Sequence, residues 1–248
     1  MSNDSHQPVC VVTGASRGLG RALCQEFEDR GFQVAGASRS ALPDNSEGLA
    51  AHDSVNVQDE RRVREFANSV VARHGRIDVW VNNAAVMEVF RVADGDAERW
   101  NRILGTNLLG VVNGSAVFAE HVRGRPGAGV LINLTAGSAR AARPGWAAYS
   151  ASKAAVERLT EAVAAEERDA GLRAFCVSPG AMDTAMQRSL WELPESEFPE
   201  ARELRERAAR GLIGDCRDIA RRIAEEAGAQ LRPGAPEPDP VFLPFRAS

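Results

Sequence analysis

Among 30 basic residues the chain carries a single lysine, Lys153, and it also holds a single tyrosine, Tyr149. Residues four apart share one face of a helix, so the spacing sets a phenol beside an ammonium. A phenol ordinarily titrates near pH 10, and a nearby cation stabilises its phenolate, bringing the proton within range of general acid catalysis. Every other cation in the chain is arginine, so a lone lysine here marks a position that a planar guanidinium does not fit. A second chemical signal is the run Thr13-Gly14-Ala15-Ser16-Arg17-Gly18-Leu19-Gly20, between a strand-like segment and a helix-like one. A glycine turn of this kind lets backbone approach a pyrophosphate at the open N–H groups of the helix N-terminus.

These residues need a frame. Val9 to Thr13 reads as a strand, Gly18 to Arg30 as a helix and Gln33 to Ala37 as a second strand, with a weaker strand near Leu49 to Val57. Asp59 to Arg73 places Val63, Phe66, Ala67, Val70 and Val71 at helical spacing. Asp78 to Val81 reads as a short buried strand, and a helical region from Ala97 through Phe118 is expected to break near Gly105 to Asn107. Gly129 to Thr135 and Arg173 to Val177 are strand-like, and between them Tyr149 to Asp169 is a long helix with Ala155, Val156, Leu159 and Val163 along one face. Such alternation predicts an α/β, Rossmann-like, doubly wound parallel sheet. Without an internal repeat or a linker, residues 1–248 read as one domain.

After Pro179 the pattern changes. Residues 184–212 are charged and helix-prone, carry the exposed-looking apolar residues Met186, Leu190, Trp191, Leu193 and Phe198, and are interrupted by Pro194 and Pro199. They suit a helical lid over a pocket at the carboxyl ends of the strands, or a loosely packed surface helix pair. The tail is proline-rich and ends in an apolar segment that suits an edge or interface strand.

Composition narrows the function classes. A formal net charge of -4 lacks the basic excess of a nucleic-acid binder. Cys10, Cys24, Cys176 and Cys216 form neither a disulfide framework nor, with the four histidines, a metal site. The N-terminus lacks a targeting pattern, and no uninterrupted apolar run approaches the length of a membrane helix. A cytoplasmic, unprocessed chain is expected, with no nucleic-acid and no membrane partner.

The glycine run, Asn82-Asn83-Ala84-Ala85, Asn107, Tyr149-Ser-Ala-Ser-Lys153, and Pro179-Gly180 before Thr184 together resemble the short-chain dehydrogenase/reductase family over nearly the whole chain. Within it, PGAMDTAMQ and the FPE-containing segment are similar to the sepiapterin reductase and benzil reductase branch, whose members reduce vicinal dicarbonyls. The resemblance implies a cofactor site of Gly14, Ser16, Arg17, Gly18, Leu19, Gly20, Ser38, Arg39, Asn56, Val57, Asn83, Ala84, Ala85, Tyr149, Lys153, Pro179, Gly180, Met182 and Thr184. It implies Tyr149 as the acid, Lys153 as a donor to the nicotinamide ribose and Asn107 as holder of a relay water; Asn107 as a simple helix-kink residue is the alternative. Homodimers or homotetramers would form through Thr106 to Arg123 and Tyr149 to Asp169.

Cofactor choice follows from charge. The second strand ends in Ser38-Arg39, where an NAD-selecting chain would place an acid for the ribose 2′-OH. With Arg17 nearby, two guanidiniums favour the 2′-phosphate of NADP(H). Three positions depart from the family pattern. The serine expected thirteen residues before the tyrosine is Ala136; Ser138, or else Thr135, would have to supply the hydroxyl. Asn56 stands where an aspartate usually meets adenine, and the Gly-Gly ending is missing.

Ala136, Trp146, Met186 and Trp191, with Met87, Phe90 and Met182, are expected near the substrate and are largely apolar, which suits a ketone or diketone of an apolar or aromatic molecule. The expected function is NADPH-dependent carbonyl reduction. Ala136 keeps two alternatives open: a redox-neutral cyclase, dehydratase or isomerase, and a non-catalytic nucleotide-bound partner.

Overall fold

The computed structural model describes residues 7–39, 51–239 and 241–242. Strands β1 (Val9–Thr13), β2 (Gln33–Ser38), β3 (Ala51–Ser54), β4 (Val79–Asn82), β5 (Gly129–Leu134), β6 (Leu172–Val177) and β7 (Val241–Phe242) form one sheet in the order β3-β2-β1-β4-β5-β6-β7. Every pairing is parallel. The helices are α1 (Gly18–Asp29), α2 (Glu60–His74), α3 (Ala97–Leu104), α4 (Gly110–Arg123), α5 (Ala147–Glu166), α6 (Ala185–Trp191), α7 (Ala201–Ala209) and α8 (Cys216–Gln230).

A parallel sheet covered on both faces calls for strands without a polar side, and β1 and β4 are buried at every residue. Successive side chains then feed opposite layers. Cys10, Val12, Val79 and Val81 pack with Leu23 and Phe27 of α1 and with Ile219 and Ile223 of α8. Val9, Val11, Trp80 and Leu131 pack with Phe66 of α2, Phe118 of α4 and Val163 of α5. Strand order reverses between β1 and β4, and in open α/β sheets the crevice at such a point receives the ligand.

Several details differ from the sequence reading. The third strand is shorter than Leu49 to Val57; it stops at Ser54, and Leu49 and Ala50 lie outside the described residues. The expected break near Asn107 is no break, because Gly105–Leu109 widens into a π turn and the helix runs on through α4. The continuous helix Ala97–Arg123 is therefore long and apolar enough by composition to cross a membrane, although 61% of its apolar window is buried inside the protein. Helix α8 was not foreseen: its Ile219, Ala220, Ile223, Ala224 and Ala227 recur at helical spacing but lie among arginines and glutamates. Asp215 starts it by accepting the Arg217 N–H at 2.6 Å. At the tail β7 extends the sheet's edge; 240 and 243–248 lie outside the described residues.

Segment 184–212 leaves and rejoins the body at one place. Met182 and Gly214 form a parallel bridge, and the Gly214 N–H donates to Ala181 O at 2.9 Å. Helices α6 and α7 form the excursion between these feet.

Candidate active site

The ends of β1 and β4 are laced together before any ligand group is considered. Thr13 Oγ1 accepts the N–H groups of Asn83 and Ala84, each at 3.1 Å. In return Asn83 Nδ2 donates to Thr13 O at 2.9 Å and Gly14 O at 3.2 Å. Glycine is required in this turn: Gly14 has φ +68°, and a Cβ there would lie 2.8 Å from Ala84 Cα. A Cβ on Gly20 would lie 2.1 Å from Gly14 O. The result is a bare backbone cradle at the N-terminus of α1, which fits a pyrophosphate.

A cavity of about 540 Å³ runs from this cradle along the carboxyl ends of the strands. Its wall includes Gly14, Ser16, Arg17, Gly18, Leu19, Gly20, Ser38, Arg39, Val57, Asn83, Ala84, Ala85, Tyr149, Lys153, Pro179, Met182, Thr184 and Met186, all named from the sequence. Val55, Val86, Thr106, Leu134 and Ala185 also line it and were missed. Four of them are apolar and the fifth is a threonine, and their only sequence signal is adjacency to a motif. Among the described residues no carboxylate lines the cavity. Arg17 and Arg39 are exposed and have no ion-pair partner among the described residues, whereas Arg30, for instance, is paired with Glu26 and Glu225. Ser38 Oγ lies 2.8 Å from His52 Nε2. A larger cavity, about 1040 Å³, opens at the opposite end of the strands against Pro8, Asp78 and Leu172 and holds none of these groups.

Tyr149 and Lys153 stand one turn apart in the first half of α5. Lys153 is 2% exposed, and its Nζ donates to Leu134 O at 2.7 Å. Burial brings its ammonium down to about 8. The same ammonium lies 5.7 Å from the centre of the Tyr149 ring. The expectation that Lys153 lowers the phenol is overturned for this arrangement: burial pushes Tyr149 up to about 12. Desolvation outweighs a cation that is committed to a backbone carbonyl.

Asn107 is fully buried in the π turn, and its amide holds the backbone of Val86 at both ends. Its Oδ1 accepts the Val86 N–H at 2.8 Å, and its Nδ2 donates to Val86 O at 2.9 Å and to Ser152 Oγ at 3.3 Å. The side chain is thus a clamp on the cavity wall. Thr135 lines the cavity, but its hydroxyl is engaged by Glu157 Oε1 at 3.0 Å and Lys153 O at 3.3 Å. Ser138, on a 3-10 turn after β5, is buried and its Oγ has no partner.

Other expected residues stand outside the wall. Asn56, between the wall residues Val55 and Val57, is exposed, and its Oδ1 accepts the Gln58 N–H at 3.2 Å. Gly180, Ala136, Trp146 and Trp191 are not in the wall either. Trp146 instead nucleates an apolar cluster with Leu190, Phe198 and Leu204, against which Tyr149, Met87 and Trp191 pack. Leu190 and Phe198, which look exposed in the sequence, are 4% and 0% exposed because the excursion folds back onto Trp146.

Comparison with known proteins agrees with this geometry. Residues 8–194 match the family model described as short chain dehydrogenase. A 3beta-hydroxysteroid dehydrogenase of Eggerthella lenta is 33% identical over 241 residues, covering 93% of this chain and 90% of that protein. A benzil reductase ((S)-benzoin forming) of Saccharomyces cerevisiae is 28% identical, covering 79% of this chain and 80% of that protein. The ligand-free structure of an aldohexose dehydrogenase from Thermoplasma acidophilum superposes with a TM-score of 0.82 at 25% identity, covering 98% of this chain and 93% of that one. On its glycine cradle, its Tyr149–Lys153 pair and these matches, the chain belongs to the short-chain dehydrogenase family of nicotinamide-dependent oxidoreductases.

Proposed function

We propose that the protein is an NADPH-dependent reductase of ketones or diketones carried by apolar or aromatic molecules. The observation that carries this reading is a cavity wall that, among the described residues, holds no carboxylate, with Arg17 and Arg39 at one end, neither ion-paired among those residues, and Tyr149 with Lys153 at the other. When bound, the nicotinamide would supply hydride to the carbonyl carbon. The glycine cradle would hold the pyrophosphate, and Arg17, Arg39 and Ser38 would meet the 2′-phosphate, where guanidinium suits phosphate oxygens. Tyr149, protonated at neutral pH, would give its proton to the carbonyl oxygen, so that C=O becomes CH–OH. Lys153 would keep a positive charge near the phenolate oxygen that remains once Tyr149 has given up its proton. Asn107 would act by holding Val86 in the wall. The apolar cluster around Trp146 supports a hydrophobic substrate, in keeping with relatives named for a hydroxysteroid and for benzil.

The test is NADPH and NADH oxidation with aromatic 1,2-diketones, hydrophobic ring ketones and simple ketones, with Tyr149→Phe as control. Consumption of NADPH in preference to NADH, lost in the control, is the expected result; equal use of both, or use that survives in the control, overturns it. A second reading rests on Ala136 and on a phenol pushed up to about 12: a redox-neutral enzyme or a nucleotide-bound partner. It predicts NADPH binding without reduction until Ala136→Ser creates it. Four unpaired cysteines support a cytoplasmic location.

A further inference from the structure

If the chain is a reductase, Ala136 leaves the reacting oxygen with one hydrogen-bond donor fewer than its relatives would offer. Among the described residues, seven buried polar side-chain atoms have no partner. Three of these, Ser138 Oγ, Trp146 Nε1 and Ser150 Oγ, lie in the stretch that leads from the end of β5 past Tyr149. Buried donors are almost always satisfied in folded proteins, so three open ones flanking the candidate acid point to an acceptor that arrives with a ligand.

Trp146 stands behind Tyr149, outside the cavity wall as described, and is the one of the three whose ring packs on the Tyr149 ring. It is 8% exposed, and Nε1–H is its only polar group. Its indole is fixed from several sides. It stacks on Phe198 at 5.7 Å with planes at 23°, and the Arg143 guanidinium lies 5.4 Å from its centre. Arg143 is in turn ion-paired with Glu200 at the start of α7. The indole also meets the Tyr149 ring edge to face at 5.7 Å. A ring held this way offers its N–H in one direction, whereas the Ser138 hydroxyl rotates and Thr135 is engaged by Glu157.

We infer that Trp146 Nε1–H donates the second hydrogen bond to the substrate's carbonyl oxygen, in place of the hydroxyl missing at position 136. The inference rests on the reductase reading. The indole keeps its proton throughout: Tyr149 supplies the transferred proton, and Trp146 stabilises negative charge as it develops on the oxygen. A donor preorganised toward such an oxygen typically carries about 10²–10³ in rate.

The test is a double-mutant cycle on diketone reduction by the full chain with NADPH: W146F, A136S, W146F/A136S and, in parallel, S138A and S138A/A136S. W146F is expected to lower kcat by about a hundredfold with little change in KM or in NADPH affinity. In the A136S background, where a hydroxyl is again available, the loss should shrink to about tenfold or less. Equal losses in both backgrounds would mean that Trp146 only packs the site, and coupling of A136S with S138A instead would give the role to Ser138; either overturns the inference. If W146F does not fold, 3-benzothienylalanine at position 146 replaces the N–H by sulfur at nearly the same shape and is read in the same way. Absence of reduction by the unsubstituted chain removes the reductase reading and this inference with it, whereas reduction with additive losses removes this inference alone.

Discussion

At the scale of single residues, the catalytic pair is governed by desolvation more than by mutual attraction. Lys153 is brought down to about 8 and Tyr149 is pushed up to about 12, both by burial. Through the neutral range the phenol is a protonated donor, while the ammonium begins to lose its charge above about pH 8. Reduction is therefore expected to hold steady below that point and to fall as pH rises through about 8, well before the phenol titrates. Folding stability should move the other way. Lys153 has a folded value below its ordinary 10.5, so from about 8 to that value the unfolded chain binds more protons and stability rises with pH. A single-turnover pH profile beside denaturation midpoints measures both trends, and a reduction rate flat up to pH 10 would assign the titrating role to another group. Tyr149 and Lys153 were legible in the sequence because each is the only residue of its type. The direction of their shifts was not, since it depends on Leu134 O capturing the ammonium, a contact between residues 19 apart.

Elements were legible where one period persisted and illegible where polar residues interrupted it. Strands buried on both faces declared themselves as apolar runs, and α2 as a helical stripe. Helix α8 did not, because a narrow stripe of isoleucine and alanine is diluted by charge, although it fills the layer against α1. The π turn had only an indirect signal, two glycines around Asn107. That turn aims Asn107 at Val86, and both hydrogen bonds to Val86 run to backbone groups that would otherwise be left open. Asn107→Leu keeps much of the volume and strands both groups. Each buried group left unpaired costs about 1–3 kcal/mol, so a loss of about 2–6 kcal/mol is expected, lowering Tm by roughly 4–24 °C in a chain of this length. Because Val86 lines the cavity, NADPH affinity should fall with it. Thermal unfolding with cofactor titration checks both, and an unchanged Tm would show that the clamp is dispensable.

For the whole molecule, the parallel sheet gathers the carboxyl ends of β1, β4, β5 and β6 along one rim, so that residues spread from Gly14 to Met186 share one cavity. The helices on one side leave an apolar surface that the fold itself does not cover. Leu109 is 54% exposed where the π turn meets α4, with Val112 half-buried and Ala116 exposed beyond it. On the neighbouring α5, Ala151, Ala154, Ala162 and Ala165 are exposed, and side chains this small let a second helix approach closely. A surface of this kind suits two-fold pairing, in which the same patch serves both partners. Light scattering coupled to size exclusion should then return twice or four times 26.6 kDa at micromolar concentration. Ala154→Glu places a charge at the centre of the patch without entering the core, and should lower that mass while each chain keeps its fold and its NADPH binding. A native mass of 26.6 kDa, or an assembly unaffected by Ala154→Glu, would move the interface away from α4 and α5 and leave Leu109 as an ordinary exposed leucine.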